Sequence, residues 1–196
     1  MSFLKKILAL AACACLAVSV CSCDKVNKEL KPFKKAIENT APASAVLHSE
    51  LATELGVLSA DYNASYSDGA IAVSYTKDAL SEVTPDIDED ELFYTYEGEA
   101  TVDKDGKVTS GELGSLVRAI LALDINLDGN IGTYSAGDNQ DSLEFTVSEN
   151  TESVFGVDVG YPVSVKLEVL DGRVVSCFVE YVSDSGRVTV CCDFVF

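Results

Sequence analysis

The chain has 196 residues, with 14 Lys and Arg against 32 Asp and Glu, a formal net charge of −18. A surface this acidic repels phosphate backbones and excludes nucleic acid as a partner. A hydrophobic content of 47%, with eight Phe and eight Tyr, is more than a disordered chain carries and enough for one core.

The N-terminus reads first. Lys5-Lys6 precedes an uncharged run over 7–22 that ends in Val20-Cys21-Ser22-Cys23. A short basic region, an apolar stretch and a small residue at a cut site are the marks of a secretory signal. The run is about 16 residues long, short of the ~18–20 that a bilayer-crossing helix needs. Ser22-Cys23 with Val20 upstream resembles the lipobox of bacterial lipoproteins. The resemblance implies cleavage before Cys23, acylation of its sulfur, removal of 1–22 and an extracytoplasmic, membrane-anchored product. Cys21 is the rival acceptor, but the bulky Val20 precedes it. A plain signal cut near Ser22 is the alternative without lipid.

Residues 23–42 read as the anchor and a basic tether. Lys25, Lys28, Lys31, Lys34 and Lys35 crowd it, and Pro32 and Pro42 interrupt a long helix. A single domain then runs over 43–196. It opens with an amphipathic helix over 44–55, with Val46, Leu47, Leu51 and Leu55 on one face, Ser44 as its cap and Gly56 at its end. The lone His48 sits on that helix beside Glu50 and Glu54, as a surface residue.

From Val57 the period changes to two. Leu58, Ala60, Tyr62, Ala64 and Tyr66 alternate with polar residues, and Ser67-Asp68-Gly69 turns into a strand carrying Ile71, Val73 and Tyr75. An acidic loop over 77–91 leads to a strand over 92–102. Asp103-Lys104-Asp105-Gly106 has hairpin-turn composition. Val117, Ala119, Leu121, Leu123, Ile125 and Leu127 alternate as a further strand. The C-terminus is a meander of strands over 161–170, 173–181 and 187–196, joined at Asp171-Gly172 and at 183–186. Tight turns join neighbours antiparallel. The expected fold class is mainly β (α+β): a large curved antiparallel sheet of about eight to ten strands with an N-terminal helix packed on it. The element order is similar to that of the half-barrel lipoprotein and lipid carriers of the LolA and LppX type. That resemblance implies a sheet wrapped round an apolar cavity, and it carries no motif from which binding residues transfer.

Strand alternation alone selects Tyr62, Tyr66, Tyr94, Tyr96, Leu121, Leu123 and Phe178 as the lining of an apolar ligand site. In the C-terminal hairpin, setting Val182 opposite Arg187 puts Cys177 opposite Cys192, as a disulfide or as two buried thiols. Asp124, Asn126, Asp128 and Gly129 match the front of a calcium loop, but the twelfth place is Ser135 rather than Glu. Asp103, Asp105, Gly106 and Glu112 match one more weakly, with Thr101 first. Both read as hairpin turns, so no metal site is expected. No cofactor motif and no catalytic constellation stands out; acidic pairs such as Glu97 and Glu99 are expected in so acidic a chain. The function expected is non-enzymatic: a lipoprotein attached to the membrane by its lipid, holding a lipid or another apolar ligand. The rivals are a surface interaction protein with a filled core and a calcium-binding adhesion module.

Overall fold

The computed structural model describes residues 28–80 and 93–196. The expected signal, Cys23 and most of the acidic loop lie outside the described residues. Among the described residues ten strands form one antiparallel sheet. They are β1 (Ser44–Thr53), β2 (Gly56–Ser67), β3 (Ala70–Leu80), β4 (Phe93–Val102), β5 (Val108–Ser110), β6 (Tyr134–Ala136), β7 (Ser142–Val147), β8 (Val163–Leu170), β9 (Arg173–Ser183) and β10 (Gly186–Val195). The spatial order is β5-β4-β3-β2-β1-β10-β9-β8-β7-β6. Two meanders therefore run outward from a shared seam, where β1 pairs with β10 along its length. The sheet is open and curved, a half-barrel, with a helix from the N-terminal side packed on it.

The turns are those that residue chemistry requires. Asp68-Gly69 and Asp171-Gly172 take positive φ at both residues, the backbone of the tightest hairpins. Asp103 Oδ1 accepts the amides of Asp105 and Lys107, which closes the β4–β5 turn.

The inner face carries the core. One row crosses the sheet through Leu143, Leu167, Cys177, Cys192, Leu47, Tyr62 and Tyr75, each the cross-strand partner of the next. All seven are buried. The long connections fold back over this face. Helix α1 spans residues 28–39 and buries Leu30, Phe33 and Ala36. Helix α2 (Ser115–Leu121) buries Val117, Ile120 and Leu121, and α3 (Glu152–Phe155) buries Val154 and Phe155. Thr151, the buried polar residue before α3, accepts the Val159 amide and donates to Asp158.

Three expectations are corrected. Residues 44–55 form strand β1 and its turn, not a helix. The spacing of four between Leu47, Leu51 and Leu55 satisfies both periods, and hydrogen bonding to β2 and β10 on either side decides for the strand. Val46, assigned to the apolar helix face, is 51% exposed on the outer side. The helix lies instead within the segment read as a tether. It continues past Pro32, which removes only one amide donor, and ends where Thr40 Oγ1 donates to Ala36 O and accepts the Val174 amide. The folded unit thus includes residues 28–42, which the sequence assigned to the tether. Finally, 117–127 is not a strand. Ala119, Ile120 and Leu121 are buried consecutively, which a helix end allows and strand alternation does not. The segment after α2 continues irregularly, with the Asn126 amide bonded to Val154 O.

Phe33 separates a folded helix from a tether. Phe33→Ala is expected to cost about 3–5 kcal/mol in urea unfolding, as for other buried aromatic truncations. A change within error would return residues 28–39 to a linker.

Candidate functional site

The helices cover only part of the inner face. Helix α1 is tied to the β6–β9 half, through Lys34 to Asp128, through the Tyr134 hydroxyl to Glu29 and through Thr40 to Val174. Helix α2 meets the lower end of β2, where the Tyr66 hydroxyl donates to Leu121 O at 2.7 Å. Arg118, at its other side, bonds Gly106 O and faces Asp124. None of the described helices lies over the upper ends of β1 to β4.

There the inner face presents an aromatic ladder. Tyr62 and Tyr75 are cross-strand partners with ring centroids 5.8 Å apart. Tyr75 meets Tyr96 edge-on at 6.4 Å, and Tyr96 meets Tyr94 at 6.1 Å. Tyr75 can lie over β4 because its partner there is Gly98, where a Cβ would come within 2.4 Å of the ring. Burial raises the Tyr62 pKa, opposed by its hydrogen bond with Ser49, so the phenol stays neutral. At the rim the rings open to solvent, with Tyr96 40% and Tyr94 51% exposed. Lys77 stands in the middle of the ladder. Its Nζ lies 4.1 Å from the Tyr75 centroid and 5.3 Å from that of Tyr62.

The residues selected from sequence divide into three places. Tyr62, Tyr94 and Tyr96 share the ladder. Tyr66, Leu121 and Leu123 line a cleft of about 700 Å³ at the lower end of the sheet, walled also by the β2–β3 and β4–β5 turns. Leu121 and Leu123 reach it from α2 and the turn after it, not from a strand. Phe178 is on the outer face, where it borders an open depression of about 430 Å³ with Lys166, Glu144 and Thr146. The physical reason is parity: buried Cys177 takes the inner position, so its neighbour must point outward. Tyr75 and Lys77 complete the ladder and were not selected, although they share the parity of Ile71 and Val73.

Cys177 does face Cys192 across β9 and β10. Both are free thiols, fully buried, and burial pushes the Cys177 pKa up to about 12 and raises that of Cys192 as well. The third thiol, Cys191, is exposed on the outer side, where its cross-strand partner is His48, and His48 in turn opposes Asp61. His48 is therefore a strand residue, and a thiol does stand beside it. The row resembles a nucleophile, base and orienter on paper only. Both imidazole nitrogens are engaged, Nδ1 with Asp61 at 2.7 Å and Nε2 with Glu50 at 3.2 Å, which leaves none for the thiol. Partial burial and nearby carboxylates raise the Cys191 pKa, the wrong direction for a nucleophile.

Among the described residues no cluster of His, Cys, Asp and Glu has metal-binding geometry. The calcium-like letters have structural employment. Asp124 faces Arg118, Asp128 pairs with Lys34, and Asn126 Oδ1 accepts the Asp128 amide. Gly129 is not a hairpin glycine; a Cβ there would come within 2.4 Å of Ser153 O.

No family model matches the chain, and no curated protein sequence matches it. Among solved structures, it is similar to a crystal structure from Vibrio parahaemolyticus whose name is that of an outer membrane lipoprotein-sorting protein domain. The two share 6% identity at a TM-score of 0.34, over 86% of this chain and 91% of that one.

His48 supplies a pH signature of the β1–β2 pair. Hydrogen bonding to Asp61 and then Glu50 raises its pKa above 6.5. The folded state holds the proton more tightly than the unfolded chain. The stabilisation is thus complete below the unfolded pKa and lost as pH rises through the folded one. The melting-temperature difference between wild type and His48→Gln is expected to be larger at about pH 5.5 than at about pH 8.5. Equal differences at both would remove the charged pair.

Proposed function

We propose that this protein is a non-enzymatic, extracytoplasmic lipoprotein, anchored through acylated Cys23, whose open half-barrel binds a lipid or another apolar ligand on the Tyr62–Tyr75–Tyr96–Tyr94 ladder. The observation that carries the reading is the uneven covering of the inner face. Where α1 to α3 lie on it, core residues such as Leu143, Leu167 and Ile120 are fully packed. Beyond the described helices a run of aromatic rings stays partly open among the described residues. Exposed aromatic surface joined to a continuous apolar face is how ligand grooves are built, with large contact area at small entropic cost. Aromatic contacts contribute about 0.5–1.5 kcal/mol each beyond area burial. Native mass spectrometry of the purified protein is expected to find a co-purified apolar molecule. Replacing Tyr94 and Tyr96 together by Ala is expected to lower its retention several-fold without changing the melting temperature. Full retention by the double variant would move the site elsewhere.

A second reading, a surface interaction protein, is favoured by a different observation. Leu55, Val57 and Val182 are exposed by 55–62% at the tips and ends of the upper hairpins. Absence of any bound apolar molecule would favour it.

The anchor is tested separately. One acyl chain binds a bilayer only marginally, so stable attachment needs the diacylated sulfur. Cys23→Ala is expected to leave the membrane fraction or to remain unprocessed. If Cys23→Ala stays membrane-bound and Cys21→Ala is released, the acceptor is Cys21.

A further inference from the structure

The strands sort their charges by face. Every carboxylate on a described strand, from Glu50 on β1 to Asp193 on β10, takes an outward position in the register. The cations Lys166, Arg173 and Arg187 do the same. Lys77 is the one charged side chain that the described strands turn to the inner face. It shares that face with its cross-strand partners Ala60 and Tyr96 and with Tyr75 two residues away.

A lone charge on an apolar face is costly unless something answers it. Among the described residues, Lys77 forms no ion pair; its contacts are the faces of Tyr62 and Tyr75. Burial lowers its pKa and the Glu112 charge raises it, without ion-pair contact between them. The ring faces favour the ammonium form. The result is a half-buried cation on the inner sheet face of a strongly acidic protein, in ion-pair contact with no described carboxylate and influenced only at longer range by Glu112. Long-range repulsion of anions by the acidic outer face fades over a Debye length, ~8 Å at physiological salt, whereas an anion seated on Lys77 would touch it.

We propose that Lys77 receives the head group of a single-chain anionic amphiphile, a long-chain carboxylate in the simplest case, while the hydrocarbon tail lies along Tyr96 and Tyr94 towards the rim. One ammonium is a point charge that suits a monoanion. A phosphate dianion calls for a second cation or an arginine fork, and the described strands turn no other cation to the inner face. The tail has a path along the inner face, since Ala79 is the cross-strand partner of Tyr94 on the way to the upper edge. The inference rests on the reading of the ladder as a ligand surface and adds to it the charge of the ligand.

The test compares dodecanoate, dodecanol and dodecyl phosphate by calorimetry on the purified protein, below their aggregation concentrations. Tyrosine emission provides a second readout, since the chain has no Trp. Dodecanoate is expected to bind about tenfold or more tighter than dodecanol, the worth of one charge-assisted hydrogen bond. Lys77→Met, which keeps an apolar stem, is expected to bring the two to equal affinity while dodecanol binding is retained. Lys77→Arg is expected to preserve the preference, and unchanged melting temperatures show that both variants fold. If Lys77→Met is unstable, Lys77→Gln replaces it. Equal binding of the two by the wild type, or a preference that survives the loss of Lys77, overturns the inference and leaves the ladder reading standing. No binding of either, or binding indifferent to Tyr94→Ala with Tyr96→Ala, overturns the ladder reading itself. Tighter binding of dodecyl phosphate, or displacement of dodecanoate by millimolar acetate or inorganic phosphate, overturns the single-chain carboxylate assignment.

Discussion

The pairing of β1 with β10 is the constraint on which the rest of the structure depends. Nine residue pairs, from Ser44 with Val195 to Ala52 with Arg187, join the first strand to the last. Without them the molecule would be two five-stranded meanders, each with an open edge and half of an apolar face. With them, Leu47 and Cys192 join the two halves of the inner row. The outer edges are then the three-residue strands β5 and β6, too short to recruit another chain readily.

The seam also explains why one side of the groove is filled and the other open. The chain leaves the first meander at β5, on one edge, and re-enters the sheet at β6, on the opposite edge. The connection must cross the inner face, and it deposits α2 and the Leu123–Leu127 segment on the way. Helix α3 and α1 pack around that crossing, with Gly129 letting the two connections approach at Ser153. The crossing passes the lower end of β2 at Tyr66, so the upper ends of β1 to β4 remain beyond its reach. The tyrosine ladder occupies what is left over.

The hairpins were legible because their turns are written in residue chemistry. Asp-Gly at 68–69 and 171–172 demands positive φ, and the register of the last hairpin follows from its turn, down to Cys177 facing Cys192. What was not legible had a spacing that fits two periods or a composition that hides one. Leu47, Leu51 and Leu55 are four apart and serve a helix or a strand equally. Leu30, Phe33 and Ala36 form a helical stripe amid lysines and prolines that read as a solvated linker. The alternation over 121–127 is real burial without a neighbouring strand. At the site, parity placed Tyr62, Tyr94 and Tyr96 on one face, but nothing in the sequence says which end of that face a helix will cover. Tyr66 and Leu121 were therefore grouped with rings that lie at the other end. Phe178 failed because consecutive apolar residues along β9 make both faces look internal.

The seam has a consequence for how such a chain folds. β1 is the first of the ten described strands in chain order and its partner β10 the last, so the first meander can pair within itself early while the seam must wait for β10. Until Val195 arrives, β1 offers an unpaired row of amides and carbonyls flanked by Leu47 and Leu51. Contacts between the two ends of a chain form slowly, because the loop entropy is spent before any pairing is gained. The inner row from Leu143 to Tyr75 therefore becomes continuous in one late step, when β10 slots between β9 and β1 and the two halves lock together.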